Sequence, residues 1–193
     1  MRLAGGENSG RAVAAPKGRR TRPTGAKVRE ALFAVLGDRI QGARVLDLFA
    51  GSGALGFEAI SRGAASVIFV DNDAAAAMAI RRNAVDLIED AERWRIMPMH
   101  AARALRRLRG KFDVVLVDPP YDRGAEGELA LLAQRGLLAS DGVLVVEHRS
   151  TAPLTLPSSM QVIKRSKYGD TAVTYAKARG RSAASLRRTP PPR

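Results

Sequence analysis

The sequence predicts a doubly wound, mostly parallel α/β sheet, and three observations carry that prediction. From Arg44 onward, short apolar runs alternate with segments of helical period, a βαβα rhythm. The first apolar run ends in a glycine bend, Gly51-Ser52-Gly53, that opens directly into a helix. Near the end the rhythm changes to two strands joined by a short polar connection, an antiparallel hairpin attached to a parallel sheet.

Taken in order, residues 1–21 hold Gly5-Gly6, Ser9-Gly10 and a Pro16-Lys17-Gly18-Arg19-Arg20 run, the composition of turns or a small hairpin rather than of core. Thr24 is placed to cap a helix over 25–36, where Val28, Leu32, Val35 and Leu36 form one apolar face. Lys27, Arg29 and Glu30 fall elsewhere on the wheel. Strands follow at 44–48, 66–70, 95–99, 113–117 and 142–147, with helices at 54–62, 73–88, 100–108 and 126–135. The runs 66–70 and 113–117 are apolar throughout or nearly so, as expected of strands covered on both faces. Asp73 is a candidate cap for its helix and Gly136 a candidate stop. The final strands are 160–164 and 171–176, joined by residues 165–170. The chain therefore divides into a basic extension with one helix (1–40), the sheet domain (41–177) and an Arg-, Ser- and Pro-rich tail (178–193) with the composition of disorder.

Net charge is +13, and it is unevenly spread. Residues 1–43 hold nine Lys/Arg against three Asp/Glu, and residues 164–193 hold nine against one. The body between holds fourteen against fifteen. Two basic ends on a near-neutral body suit a polyanion, most simply nucleic acid. The chain has no cysteine, so disulfides and thiolate metal sites are excluded, and no metal is expected. No leader-like run opens it and no stretch approaches a membrane span, which leads to an expectation of a cytoplasmic protein with no membrane partner.

In doubly wound sheets ligands bind at the carboxyl ends of the strands, near the point where strand order reverses. Asp47, the turn Phe49-Ala50-Gly51-Ser52-Gly53, Asp71-Asn72, His100 and Asp118 all fall near predicted strand ends, so they can converge on one cleft. Gly51, Gly53 and Gly56 satisfy G-x-G-x-x-G, which fits a nicotinamide or flavin site as well as a nucleoside-donor site. Asp71 suits a vicinal ribose diol, because a carboxylate accepts from both hydroxyls. Asp47 suits a cationic or amino group beside the bend. The tie is broken by Asp118-Pro119-Pro120-Tyr121. Two prolines stiffen the backbone and remove N–H donors, leaving carbonyl acceptors; Asp118 adds a carboxylate and Tyr121 a π-face. Together they form a slot for a planar base that presents an amino group.

These residues carry a family resemblance. Asp47 to Gly56 followed by Asp118-Pro-Pro-Tyr121 resembles the S-adenosylmethionine-dependent amino-methyltransferases. More narrowly, Arg22-Pro-Thr24, Val28 to Phe33, Glu58 to Ala64 and Tyr168-Gly-Asp170 resemble the bacterial 16S rRNA guanine-N2 methyltransferases, over about residues 1–177. The resemblance implies a seven-stranded Rossmann-like sheet with an antiparallel last strand. It implies S-adenosylmethionine as donor and, as substrate, a guanine of 16S rRNA in the small ribosomal subunit or its assembly intermediate. A monomer is expected. Two positions depart from the family pattern: Gly25-Ala26 stand where Thr-Asp is usual, and Met99-His100-Ala101 where an acid usually faces the adenine amino group. A neutral His100 can accept one hydrogen bond in that place.

On this reading Asp118 and the Pro119 carbonyl orient the amine, with Pro120 stiffening the turn and Tyr121 stacking on the base. Arg19, Arg20, Arg22, Lys27, Arg29, Lys164, Arg165, Lys167 and Tyr168 are the candidate RNA contacts. The rival readings are a DNA adenine-N6 or protein-glutamine methyltransferase, a nicotinamide-dependent oxidoreductase, and a non-catalytic RNA-binding protein of the same fold.

Overall fold

The computed structural model of the protein describes residues 1–16, 25–120 and 123–179. Its centre is a seven-stranded sheet built from β1 (Arg44–Leu48), β2 (Ser66–Asp71), β3 (Trp94–Pro98), β4 (Phe112–Val117), β5 (Leu138–Arg149), β6 (Met160–Tyr168) and β7 (Thr171–Ala178). The order across the sheet is β3-β2-β1-β4-β5-β7-β6. Strands β1 to β5 run parallel, and β7 is antiparallel to both β5 and β6. The order reverses between β1 and β4, which is where a doubly wound sheet opens a crevice at its carboxyl edge.

The helices are α1 (Ala26–Leu36), α2 (Ala54–Ser61), α3 (Ala74–Leu87), α4 (Ala101–Arg107) and α5 (Glu126–Gln134). Alternate strand residues sort the core into two layers. Val45, Val67, Phe69, Val114 and Val145 pack with α1, α2 and α3 on one face. Leu46, Val70, Val115, Leu144 and Val146 pack with α4 and α5 on the other. Burial on both faces explains why these strands read as continuous apolar runs. Asp73 caps α3 as expected, accepting from the Ala75 N–H at 2.8 Å.

Several expectations are corrected. The first fifteen residues are part of the core as well as a hairpin. Arg2 bridges Ala12, while Leu3 and Val13 are buried in the α1–α3 layer. Helix α1 has Gly25 at its cap with no side-chain bond; Thr24 lies outside the described residues. Strand β5 starts at Leu138 rather than 142, because Leu138 pairs with Phe112 ahead of an irregularity in the β4–β5 register, and Gly142 lies where a Cβ would meet the Phe112 carbonyl at 3.0 Å. The closing hairpin is tighter than residues 165–170 suggested. Tyr168 pairs with Thr171, so the loop is only Gly169-Asp170, with Gly169 at φ 61°. Lys164, Arg165 and Lys167 therefore lie on the edge strand itself.

Candidate active site

At the switch point β1 and β4 are neighbours, with Leu48 opposite Val117, so the residues that leave these two strands start side by side. After β1 the chain turns through Phe49, the only non-glycine at positive φ among the described residues, at 61°. A bulky residue there is strained, by about 1–3 kcal/mol, and must be held by its surroundings. The Ala50 N–H reaches the Val70 carbonyl at 3.1 Å, which draws the turn toward β2. Gly51 and Gly53 follow, both at positive φ, and the Gly53 carbonyl starts α2 by accepting from Phe57. A Cβ on Gly51 would meet nothing within 4 Å, so open space lies beside the bend at that position. A Cβ on Gly56 would lie 2.2 Å from the Phe69 ring, so that glycine serves the packing of α2 on the sheet.

Side chains fix the bend from three directions. Asp71, at the end of β2, accepts from the Gly51 N–H at 2.8 Å with one oxygen and from the Asp73 N–H at 2.9 Å with the other. Asp47 accepts from the Gly56 N–H at 3.0 Å and is 1% exposed. The Asn83 amide of α3 donates to the Ser52 carbonyl at 3.1 Å and brackets Ala14 of the N-terminal segment through both its amide atoms. Asn83 was not legible as a site residue; a mid-helix asparagine 31 residues from its target gives no local signal. Asp71 thus has a structural duty besides any ligand role, and two of its lone-pair positions remain for a diol.

Burial pushes the Asp47 carboxyl up to about 8, opposed by its Gly56 hydrogen bond and reinforced by the charges of Asp118 and Asp71. Three carboxylates from β1, β2 and β4 therefore share one field. The predicted convergence of Asp47, the glycine bend, Asp71 and Asp118 is what the topology produces, and a cation beside them would relieve their mutual repulsion.

Asp118 is half-buried one residue beyond β4, its N–H 3.5 Å from the Leu48 carbonyl. Pro119 is buried and Pro120 exposed; Tyr121 lies outside the described residues. On the α5 side of this bend, Pro119, Pro120, Ala125, Val146, His148 and Leu154 line an open groove. Arg123 places its guanidinium 5.8 Å from the centre of the Phe49 ring and bonds Glu128 at 2.6 Å. Asn72 is exposed just past β2. His100 is exposed at the N-cap of α4, two residues past Pro98, which pairs with Asp71. It makes no side-chain cap bond.

Of the candidate RNA contacts, Lys27 is exposed on α1, and Lys164, Arg165 and Lys167 are exposed on β6. Tyr168 is half-buried against the core. The hairpin turn docks on the carboxyl end of β5 through Ser150, whose N–H donates to the Asp170 carbonyl and whose hydroxyl donates to that of Gly169. Lys167 and Tyr168 are thereby brought to the edge that carries the site. Arg29 is a correction. It is 1% exposed and its Nε donates to the fully buried Glu58 at 3.1 Å, so it is unavailable to a phosphate. Glu58 also accepts from Arg62 and from the Ala4 N–H, tying α1, α2 and the N-terminal segment together. Arg19, Arg20 and Arg22 lie outside the described residues. Among the described residues no group of three potential metal ligands occurs, and no helix is long and apolar enough to cross a membrane.

A sheet of this order, with a glycine bend after β1 facing an Asp-Pro-Pro bend after β4, has the architecture of a Rossmann-like methyltransferase. The family model described as Conserved hypothetical protein 95 matches residues 1–177, and the chain belongs to that family, an RsmD-like methyltransferase family. It is 35% identical over 174 residues to the ribosomal RNA small subunit methyltransferase D of Escherichia coli K12, covering 89% of this chain and 87% of that protein. It is 34% identical over 151 residues to the protein of the same name from Haemophilus influenzae, covering 77% and 78%. The solved structure of yhhF from Escherichia coli is similar at a TM-score of 0.81 and 34% identity, over 92% of this chain and 97% of that one.

Proposed function

We propose that the protein transfers a methyl group from S-adenosylmethionine to the exocyclic N2 amine of a guanine in 16S rRNA of the small ribosomal subunit. The observation that carries the reading is the adjacency of the two bends: Leu48 and Val117 are register partners, and Asp47 feels the charges of Asp118 and Asp71 together. The names of the Escherichia coli and Haemophilus influenzae relatives support rRNA of the small subunit as the substrate.

The residues fit the donor. The space beside Gly51 admits a closely approaching ligand, Phe49 to Gly53 lead into the N-terminus of α2, and Asp71 stands at the next strand end for ribose hydroxyls. Asn72 and His100 stand on the rim where the adenine would lie. When bound, S-adenosylmethionine supplies an electrophilic methyl group. The rest is positioning. The N2 lone pair of guanine is delocalised into the ring, so the amine is a poor nucleophile. Asp118 and the Pro119 carbonyl accept its hydrogens, turn the lone pair out of conjugation, and favour the positive charge that develops on nitrogen. Asp118 then receives the proton, directly or through one water. Pro120 keeps the bend stiff, and Tyr121 stacks on a base rotated out of its RNA context.

The test is methyl transfer from labelled donor to small subunits, deproteinised 16S rRNA and DNA in parallel, followed by mapping of the modified nucleoside. N2-methylguanosine at one position of 16S rRNA is expected. Label on adenine N6, on protein, or on none of the substrates would replace this reading with one of its rivals.

A further inference from the structure

The near-neutral body of the chain conceals a segregated patch of charge. Between Met99 and Phe112 there are five cations and no acid: Arg103, Arg106, Arg107, Arg109 and Lys111. The spacing 103, 106, 107 is i, i+3, i+4, which places three guanidinium groups on one side of α4. All five side chains are exposed, while Ala101, Ala104, Leu105 and Leu108 on the opposite side enter the core of the α4–α5 layer. Arg135, exposed at the end of α5, reaches the same place, its guanidinium 3.4 Å from the Leu108 carbonyl. Arg44 adds a further cation below, bonded to the Arg109 and Lys111 carbonyls. Among the described residues none of these seven forms an ion pair. The nearest acid in the chain, Asp113, accepts the Arg44 backbone N–H instead.

Seven clustered cations repel one another; Arg44 is partly compensated by backbone carbonyls and by the Phe112 ring 4.4 Å from its guanidinium, but among the described residues no carboxylate pairs with any of the seven. The patch also has a definite direction. It starts three residues past His100, on the rim of the site, and ends at Lys111, where β4 begins. Strand β4 has six residues, so Lys111 lies roughly 20 Å from Asp118 along the sheet. An anion that covers the patch must therefore be extended and must run away from the reacting base.

We propose that the outer side of α4, continued by Arg109, Lys111 and Arg135, is a second docking surface for rRNA phosphates, engaging nucleotides remote from the methylated base. The proposal rests on the rRNA reading above and adds to it. RNA is then held at two separate places, by the edge strand β6 with its hairpin turn and by α4 in the α4–α5 layer. Phosphate contacts of this kind set orientation and affinity without reading sequence.

The experiment uses the full chain in two variants that each remove three positive charges. One is Arg103→Gln/Arg106→Gln/Arg107→Gln on α4. The other, a control, is Arg39→Gln/Arg81→Gln/Arg82→Gln, whose cations are exposed but not on α4. Both are assayed on small ribosomal subunits and on deproteinised 16S rRNA across a salt series, with S-adenosylhomocysteine affinity checking that each is folded. The α4 variant is expected to raise KM for both substrates about tenfold or more at moderate salt. Its dependence of log affinity on log salt should be shallower by roughly two. Donor affinity and saturating kcat should be unchanged. A KM and salt slope no different from the control would overturn the proposal. So would a loss confined to subunits with deproteinised rRNA unaffected, which would assign the patch to an acidic protein. If the unmodified enzyme methylates neither substrate, it is the rRNA reading itself that fails, an outcome separate from the other two.

Discussion

The two bends that face each other at the switch point are built in opposite ways. The glycine bend is held from outside. Asp71 takes the Gly51 N–H, Asp47 the Gly56 N–H and Asn83 the Ser52 carbonyl. Behind it, α2 is anchored by Glu58 to Arg29 and Arg62. The Asp118-Pro119-Pro120 bend is stiff by composition. Its prolines fix their own φ angles, and its described backbone ties are the long 3.5 Å contact from Asp118 to Leu48 and a local bond from the Arg123 N–H to the Pro120 carbonyl at 3.1 Å. A cradle held by neighbours fails when a neighbour changes. A bend that carries its own rigidity depends less on any one neighbour.

The contrast predicts where damage will appear. Asp118→Ala should lower kcat by about a thousandfold, within the range that a positioned acid or base supplies, with thermal stability and S-adenosylhomocysteine affinity nearly unchanged. A parallel loss of donor affinity would show that the second bend is also part of the cradle. Glu58→Ala should destabilise the fold by about 3–5 kcal/mol in urea denaturation, because it strands the buried Arg29 guanidinium. Gly56→Ala should cost about 1–3 kcal/mol, since its Cβ must displace the Phe69 ring. Donor affinity should fall with stability in that variant, whereas a change at Asp118 should lower turnover and leave both nearly unchanged.

The smallest effect concerns Asp47. With its folded pKa raised to about 8, its contribution to stability is full below the unfolded value of 3.8 and is lost as pH rises toward 8. A cationic ligand beside it lowers that pKa and releases a proton. Donor binding should therefore tighten between pH 6 and 8, by less than about tenfold for one partly coupled group. Calorimetry in buffers of different ionisation enthalpy would detect the released proton, and Asp47→Asn should flatten the profile. A proton taken up, or a flat profile in the unmodified protein, would remove Asp47 from the donor's field.

The same contrast explains what could be read from the sequence. Strands β1, β2 and β4 were legible because burial on both faces leaves a local mark. Both bends were legible because glycine and proline state their backbone requirements where they stand. What escaped depends on partners distant in the chain. Arg29 looks like one more cation on a helix until Glu58, 29 residues on, is folded against it. Asn83 reads as an ordinary helical residue, and its contacts are with Ser52 and Ala14. The start of β5 was hidden because Ala139-Ser-Asp-Gly142 has the composition of a turn, while its place in the sheet is set by Phe112. The basic patch on α4 vanished in a regional charge count because acids elsewhere in the body cancel it.

The central claim is that the two bends enclose one site, and a crystal structure with S-adenosylhomocysteine bound tests it most directly. The ligand is predicted to lie across Gly51–Gly53 with its ribose at Asp71 and its sulfur directed toward Asp118 and the Pro119 carbonyl. A ligand bound elsewhere, or one whose sulfur faces away from Asp118, would contradict the account.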